Sequence, residues 1–157
     1  MSTSKQLCTF LLNDMVFGIE VLEIQEVISH QAMTPVPLAP NVVQGLINLR
    51  GQIVTAVDLR RRLDLPPRSS DLLPINIVVH TSDGAVSLLV DDIGDVVEVG
   101  SDTFEPPPET IQDSARELID GVYKLKGRLI LSLNKDRAVN FRVDSRDEHK
   151  GAATAAA

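Results

Sequence analysis

With 157 residues, 43 % of them hydrophobic, the chain is long enough to bury a core in one domain or in two closely fused small ones. A formal charge of −7, an aromatic content of 3 % and the absence of Trp exclude the basic stripe and the stacking platform that nucleic-acid surfaces need. No stretch approaches the ~20 consecutive apolar residues of a membrane span, the N-terminus is a poor signal peptide, and a single cysteine suits a reducing compartment, so a cytoplasmic protein without membrane insertion is expected.

Residues 6–12 and 15–21 predict two short strands joined through a turn at Asn13 and Asp14. Cys8 lies among Leu7, Phe10 and Leu12 and reads as a buried structural thiol. The segment 24–28, IQEVI, begins with apolar–polar alternation. Pro35, Pro37 and Pro40 in TPVPLAP then fix extended geometry and remove amide donors, which predicts a rigid connector. Residues 52–58, QIVTAVD, predict a buried strand, and LRRRL after Asp58 predicts one helical turn stopped by Pro66 and Pro67. A polar link covers 68–73. Strands are predicted over 75–81, 85–91 and 93–99, the first two forming a hairpin through Ser82, Asp83 and Gly84. FEPPPE, 104–109, is a second rigid proline segment, and 120–134 reads as strand, turn at Gly127, strand. Residues 144–157 lack apolar periodicity and predict a disordered tail. Short strands at intervals of about ten residues indicate an all-β architecture of small sheets or barrels.

The residues that chemistry requires do not converge in the sequence. His30, His80 and His149 are scattered, and none stands at metal-ligand spacing from a cysteine or a carboxylate pair. There is no glycine-rich phosphate loop and no G-x-S-x-G elbow. VDDIGD places Asp91, Asp92 and Asp95 close together, but without the glycine and bidentate glutamate of a calcium loop they read as surface turn aspartates. Neither catalytic residues nor a metal or cofactor are therefore expected. Charge is uneven along the chain: 91–120 holds ten Asp/Glu against one Arg, whereas 41–70 holds five Arg against two Asp. Two readings stand, a bipolar surface that docks onto other proteins or a merely solvated acidic face.

The order FLLNDMVFGIEVLEIQEVI, TPVPLAPNVVQGLINLRGQIVTAVDLRRRL, VSLLVDDIGDVVEV, DGVYKLKGRLILSLN resembles the CheW family, adaptor proteins of bacterial chemotaxis-type signalling, from about Lys5 to Arg142. Thr34-Pro35, Pro40, Gly45, NLRG and VDLR carry most of the resemblance. It implies a mainly β fold of two five-stranded SH3-like barrels, pseudo-symmetric with a groove between them and short helical turns. The CheW-like domain would span 5–143, divided near 68–74. It further implies a non-catalytic scaffold, monomeric alone, that couples the cytoplasmic tip of chemoreceptors (methyl-accepting chemotaxis proteins) to the regulatory domain of a CheA-type histidine kinase and forms rings with it. An adaptor of a separate motility or second-messenger system, with its own kinase, is the alternative. The end LSLNKDRAV departs from the family's LLDLDKLL-like pattern, which bears on how the C-terminal helix docks.

Arg50 stands between Leu49 and Gly51 inside an apolar run, where a charge calls for a partner. The resemblance supplies one in Glu26, as a charge-assisted and bidentate pair. Two roles are open to the pair: to lock a loop 45–51 against the sheet, or also to shape the receptor-binding surface. By the same matching, Ile24, Val27, Gly45, Ile47 and Val96 fall at groove positions, with Gly45 permitting close approach of the receptor tip. Each apolar member could equally be ordinary core. Phe104, Glu105, Pro106, Glu109 and Thr110 match a kinase- or ring-contact loop.

Overall fold

The computed structural model describes residues 4–82 and 84–140, so the predicted tail 144–157 lies outside the described residues, as do positions 141–143 of the expected domain. The first hairpin is formed by β1 (Ser4–Leu12) and β2 (Met15–Glu20), with Leu12 opposite Met15 and Asn13 at a positive φ of 57° in the turn. A one-turn 3-10 segment leads into β3 (Ile24–Ile28). After the proline connector come β4 (Val43–Leu49) and β5 (Gln52–Asp58). The Asp58 side chain accepts the Arg60 amide and so caps α1 (Leu59–Arg62), as the sequence predicts. The hairpin β6 (Ile75–Thr81) and β7 (Gly84–Val90) is followed by β8 (Asp92–Gly100). The chain then runs through the two-residue β9 (Phe104–Glu105), α2 (Asp113–Arg116), the hairpin of β10 (Ile119–Leu125) and β11 (Arg128–Leu133), and α3 (Lys135–Ala138). None of the described helices is long and apolar enough to cross a membrane.

One strand and one helix escape the sequence reading for physical reasons. Residues 45–49 of the expected loop 45–51 belong to the strand Val43–Leu49: Gly45 and Asn48 look like turn residues, yet they sit in a ladder against β5. The short α2 shows no apolar periodicity because it is one turn long.

The strands form two sheets in the orders β8-β1-β2-β11-β10-β9 and β3-β6-β7-β5-β4. Each sheet is antiparallel except for one parallel pair, β2 with β11 and β5 with β7, so the two repeat one pattern. The first holds five strands plus β9. The division does not fall at 68–74: β6 and β7, beyond that link, share a sheet with β3, β4 and β5, while the N-terminal hairpin joins β8–β11. Sheet two is thus inserted between β2 and β8, and the expected boundary lies inside it. One core cluster spans both sheets, with Phe10 stacked on Phe17 at 5.6 Å and packed with Leu59, Ile77, Leu88 and Leu118. Cys8 lies in this core, where burial pushes its thiol up from the ordinary value and away from nucleophilic form.

A buried ionic cluster ties the two sheets at their crossover. Asp91, between the last residue of β7 and the first of β8, takes a bidentate pair from Arg60 (Nε to Oδ1 2.8 Å, Nη2 to Oδ2 2.6 Å). Arg68 Nε donates to Asp91 Oδ1 at 2.8 Å and its Nη2 to Asp58 Oδ1 at 3.3 Å, and the Asn13 amide of the first hairpin reaches Asp91 Oδ2 at 2.8 Å. These side chains are about nine-tenths covered, at 10 % exposure for Arg60, 12 % for Asp91 and 9 % for Arg68. Burial pushes the Asp91 carboxyl up, but the hydrogen bonds from Arg60, Asn13 and Arg68 outweigh it and lower the group from 3.8 to about 2. The expectation that Asp91 is a surface turn aspartate is therefore corrected: two arginines and a backbone amide converge on it.

Candidate functional site

Arg50 and Gly51 are the two loop residues of the β4–β5 hairpin, closing directly from Leu49 to Gln52. Both have positive φ, 52° and 86°, the pattern of a type I′ turn. Asparagine is common at the first of these positions and arginine is not, so local backbone preference does not account for Arg50. Asn48 Oδ1 accepts the Gly51 amide at 2.9 Å and steadies the turn. From this tip Arg50 donates Nη1 to Glu26 Oε2 at 2.6 Å and Nη2 to Glu26 Oε1 at 2.8 Å.

The pair joins strands at the two ends of the sheet order, since Glu26 belongs to β3 and Arg50 follows β4. The connector closes the same gap higher up, where Thr34 and Leu46 exchange backbone hydrogen bonds of 2.9 and 2.8 Å. The two ends of the second sheet are therefore bridged by an ion pair and by the connector. Arg50 itself is not buried: its side chain is 73 % exposed, against 18 % for Glu26. An apolar neighbourhood in sequence has become a hairpin tip in water. Hydrogen bonds from Arg50 hold the Glu26 carboxyl below its usual range, and Glu26 holds the guanidinium above its own.

The other expected groove residues separate. Val27 is exposed on β3 beside Glu26, and Val96 is exposed on β8 of the other sheet. Ile24 packs against the shared core, and Ile47 is 2 % exposed in a cluster with Ala56 and Leu89. Five concavities stand out on the surface, and none of them is lined by Ile24, Glu26, Val27, Ile47, Arg50 or Val96. Gly45 is occupied by the protein's own chain: a Cβ built there would lie 2.8 Å from the Thr34 carbonyl oxygen and 3.0 Å from Met33 Cβ. Its missing side chain admits the connector, and no room is left there for a receptor. Gly45→Ala is expected to destabilise the fold by about 1–3 kcal/mol through overpacking, read as a lowered melting temperature.

The proline segment occupies the far edge of sheet one. Phe104 pairs opposite Tyr123, and their rings lie 4.9 Å apart, while Glu105 is paired with Lys124. Gly121 on β10 allows this approach, because a Cβ there would meet the Glu105 carbonyl and the Phe104 ring. Pro106, Glu109 and Thr110 are exposed. The arginines of 41–70, by contrast, do not form a free basic field. Arg50, Arg60 and Arg68 are bound to carboxylates, Arg61 to the Asn41 carbonyl and Asp58, and Arg62 to the carbonyls of Arg137 and Ala138 at the end of α3. Asp92, Glu98, Asp102 and Glu109 carry no ion pair among the described residues, whereas every arginine of 41–70 is held by a carboxylate or a carbonyl.

Two β-sheets that each carry one parallel pair and share one core cluster define a mostly β module. The chain belongs to the CheW family: the family model described as CheW-like domain matches residues 6–142. It is 30 % identical over 132 residues to the chemotaxis protein CheW of Rhizobium meliloti, covering 84 % of this chain and 85 % of that protein. It is also 30 % identical over 128 residues to CheW of Bacillus subtilis, covering 82 % of each. Among solved structures, the scaffolding protein TtCheW from Thermoanaerobacter tengcongensis superposes with a TM-score of 0.75 at 27 % identity, over 84 % of this chain and 90 % of that one.

Proposed function

We propose that this protein is a non-catalytic adaptor of chemotaxis signal transduction, coupling chemoreceptors to a CheA-type histidine kinase in the cytoplasm beneath the membrane. The observation that carries the reading is the Glu26–Arg50 pair. A hairpin tip in a left-handed conformation holds a bidentate, largely exposed arginine on Glu26, the strand neighbour of the exposed Val27. Exposed ion pairs add little to stability, so a pair kept in strained geometry at the surface is better explained by recognition. In this reading Glu26, Val27 and Arg50 contact the receptor tip, Val96 extends the contact on the other sheet, and Ile24, Gly45 and Ile47 support it from beneath. The segment Phe104, Glu105, Pro106, Glu109 and Thr110 contributes to the kinase or ring contact. Reconstitution tests the reading. Receptor and kinase mixed with this protein should show receptor-dependent kinase activity that is absent without it; equal activity in both mixtures overturns the adaptor role.

A further inference from the structure

The connector carries a second tip at positive φ, separate from the Arg50 hairpin and independent of the adaptor reading. Val36-Pro37-Leu38-Ala39 forms a turn closed by the Ala39 amide on the Val36 carbonyl at 3.3 Å. Pro37 fixes the first central residue at negative φ and Leu38 follows at φ 65°, so the turn is of type II. Glycine or asparagine normally fills that second position. Leucine is strained there, and it is also 97 % exposed. Two separate costs, backbone strain and an apolar side chain in water, fall on one residue, and Pro35, Pro37 and Pro40 hold it in place.

At the foot of the turn lies an apolar cleft of about 350 Å³, with Val36, Ala39, Pro40, Val43, Leu46 and Val86 in its lining and no charged residue. Knob and hole therefore belong to one patch. A patch that carries both is self-complementary about a two-fold axis, where each copy supplies the knob that fills the other's hole. Charge favours the same occupant. The protein carries a net −7, so most contacts between two copies oppose like charges, but no Asp, Glu, Lys or Arg lines this cleft or belongs to the Val36–Ala39 turn. We infer that Leu38 anchors a weak two-fold contact between copies of this chain, each leucine entering the other copy's cleft. One side chain and its rim bury far less than the roughly 1,200 Å² of a stable interface, so the contact forms only when copies are concentrated.

Sedimentation equilibrium of the purified protein, up to about 1 mM, measures it. The wild type should show concentration-dependent mass that persists in high salt. Leu38→Asp should weaken self-association at least tenfold. Leu38→Gly should weaken it equally while holding or raising the melting temperature, because glycine accepts the positive φ. That second variant separates loss of the anchor from loss of the fold. A wild type that stays monomeric at the highest concentration, or self-association that survives both substitutions, overturns the inference.

Discussion

Asp91→Ala should lower the stability of the protein by about 3–5 kcal/mol, the usual cost of removing one partner from a buried ion pair. The reason is that Arg60 and Arg68 are both about nine-tenths covered and share Asp91 as an acceptor, so its loss leaves one positive charge in excess at a site poorly open to water. For a chain of this size the melting temperature should fall by roughly 10 °C or more. Acid probes the same contact without mutation. The Asp91 group is lowered from 3.8 to about 2 on folding, so its contribution is fully present above the unfolded value and is lost as pH falls through about 2. That shift corresponds to on the order of 2 kcal/mol. It is smaller than the substitution effect because a protonated carboxyl still fills the space and still accepts hydrogen bonds. Denaturant melts between pH 5 and pH 2, in steps of about one unit, should therefore show a decline in the wild type that is shallower in Asp91→Asn. Parallel curves for the two proteins would remove Asp91 from the account of acid sensitivity.

Arg50→Asn should separate stability from function. Asn-Gly is the most favoured pair for a type I′ hairpin, so the substitution relieves the strain at φ 52° while deleting both hydrogen bonds to Glu26. The melting temperature should hold or rise. Receptor-dependent kinase activation should fall at least tenfold, and Val27→Asp, on the neighbouring exposed position, should fall with it. A lowered melting temperature with normal activation would instead make the pair a brace for the second sheet. Lysine at position 50 should not rescue activity, because a single ammonium cannot reproduce the bidentate geometry.

The hairpins β1–β2 and β6–β7 were legible in the sequence because alternation and turn residues are local signals, and the α1 cap was legible because Asp58 acts two residues away. What lay beyond local signals was missed. Val43–Leu49 is a strand because β5 and the Thr34 bridge supply its partners, and nothing within VQGLINL announces them. Asp91 looks like any turn aspartate until Arg60, Arg68 and the Asn13 amide are brought round it from three segments. The Glu26–Arg50 pairing came from the family pattern, since 24 residues of separation carry no geometric code of their own. At Gly45 the resemblance implies approach by a receptor tip, whereas the group packed there in the structure is Thr34. The charge imbalance between 41–70 and 91–120 is partly offset in space, because Arg50, Arg60 and Arg68 are paired with Glu26, Asp91 and Asp58.

The insertion of sheet two between β2 and β8 sets an order of events during synthesis. All five strands of that sheet, from Ile24 to Val90, are available once the middle of the chain has left the ribosome. The β1–β2 hairpin, made before sheet two, must wait: one of its edges is completed by β8, and the other by β11, whose Leu131 lies beside Phe17. Until those strands arrive, β1 and β2 expose unpaired backbone and the apolar side chains of Phe10 and Phe17. A hairpin that precedes its partners in the chain is thus secured only after them, and the nascent protein carries two open strand edges until β8 and β11 emerge.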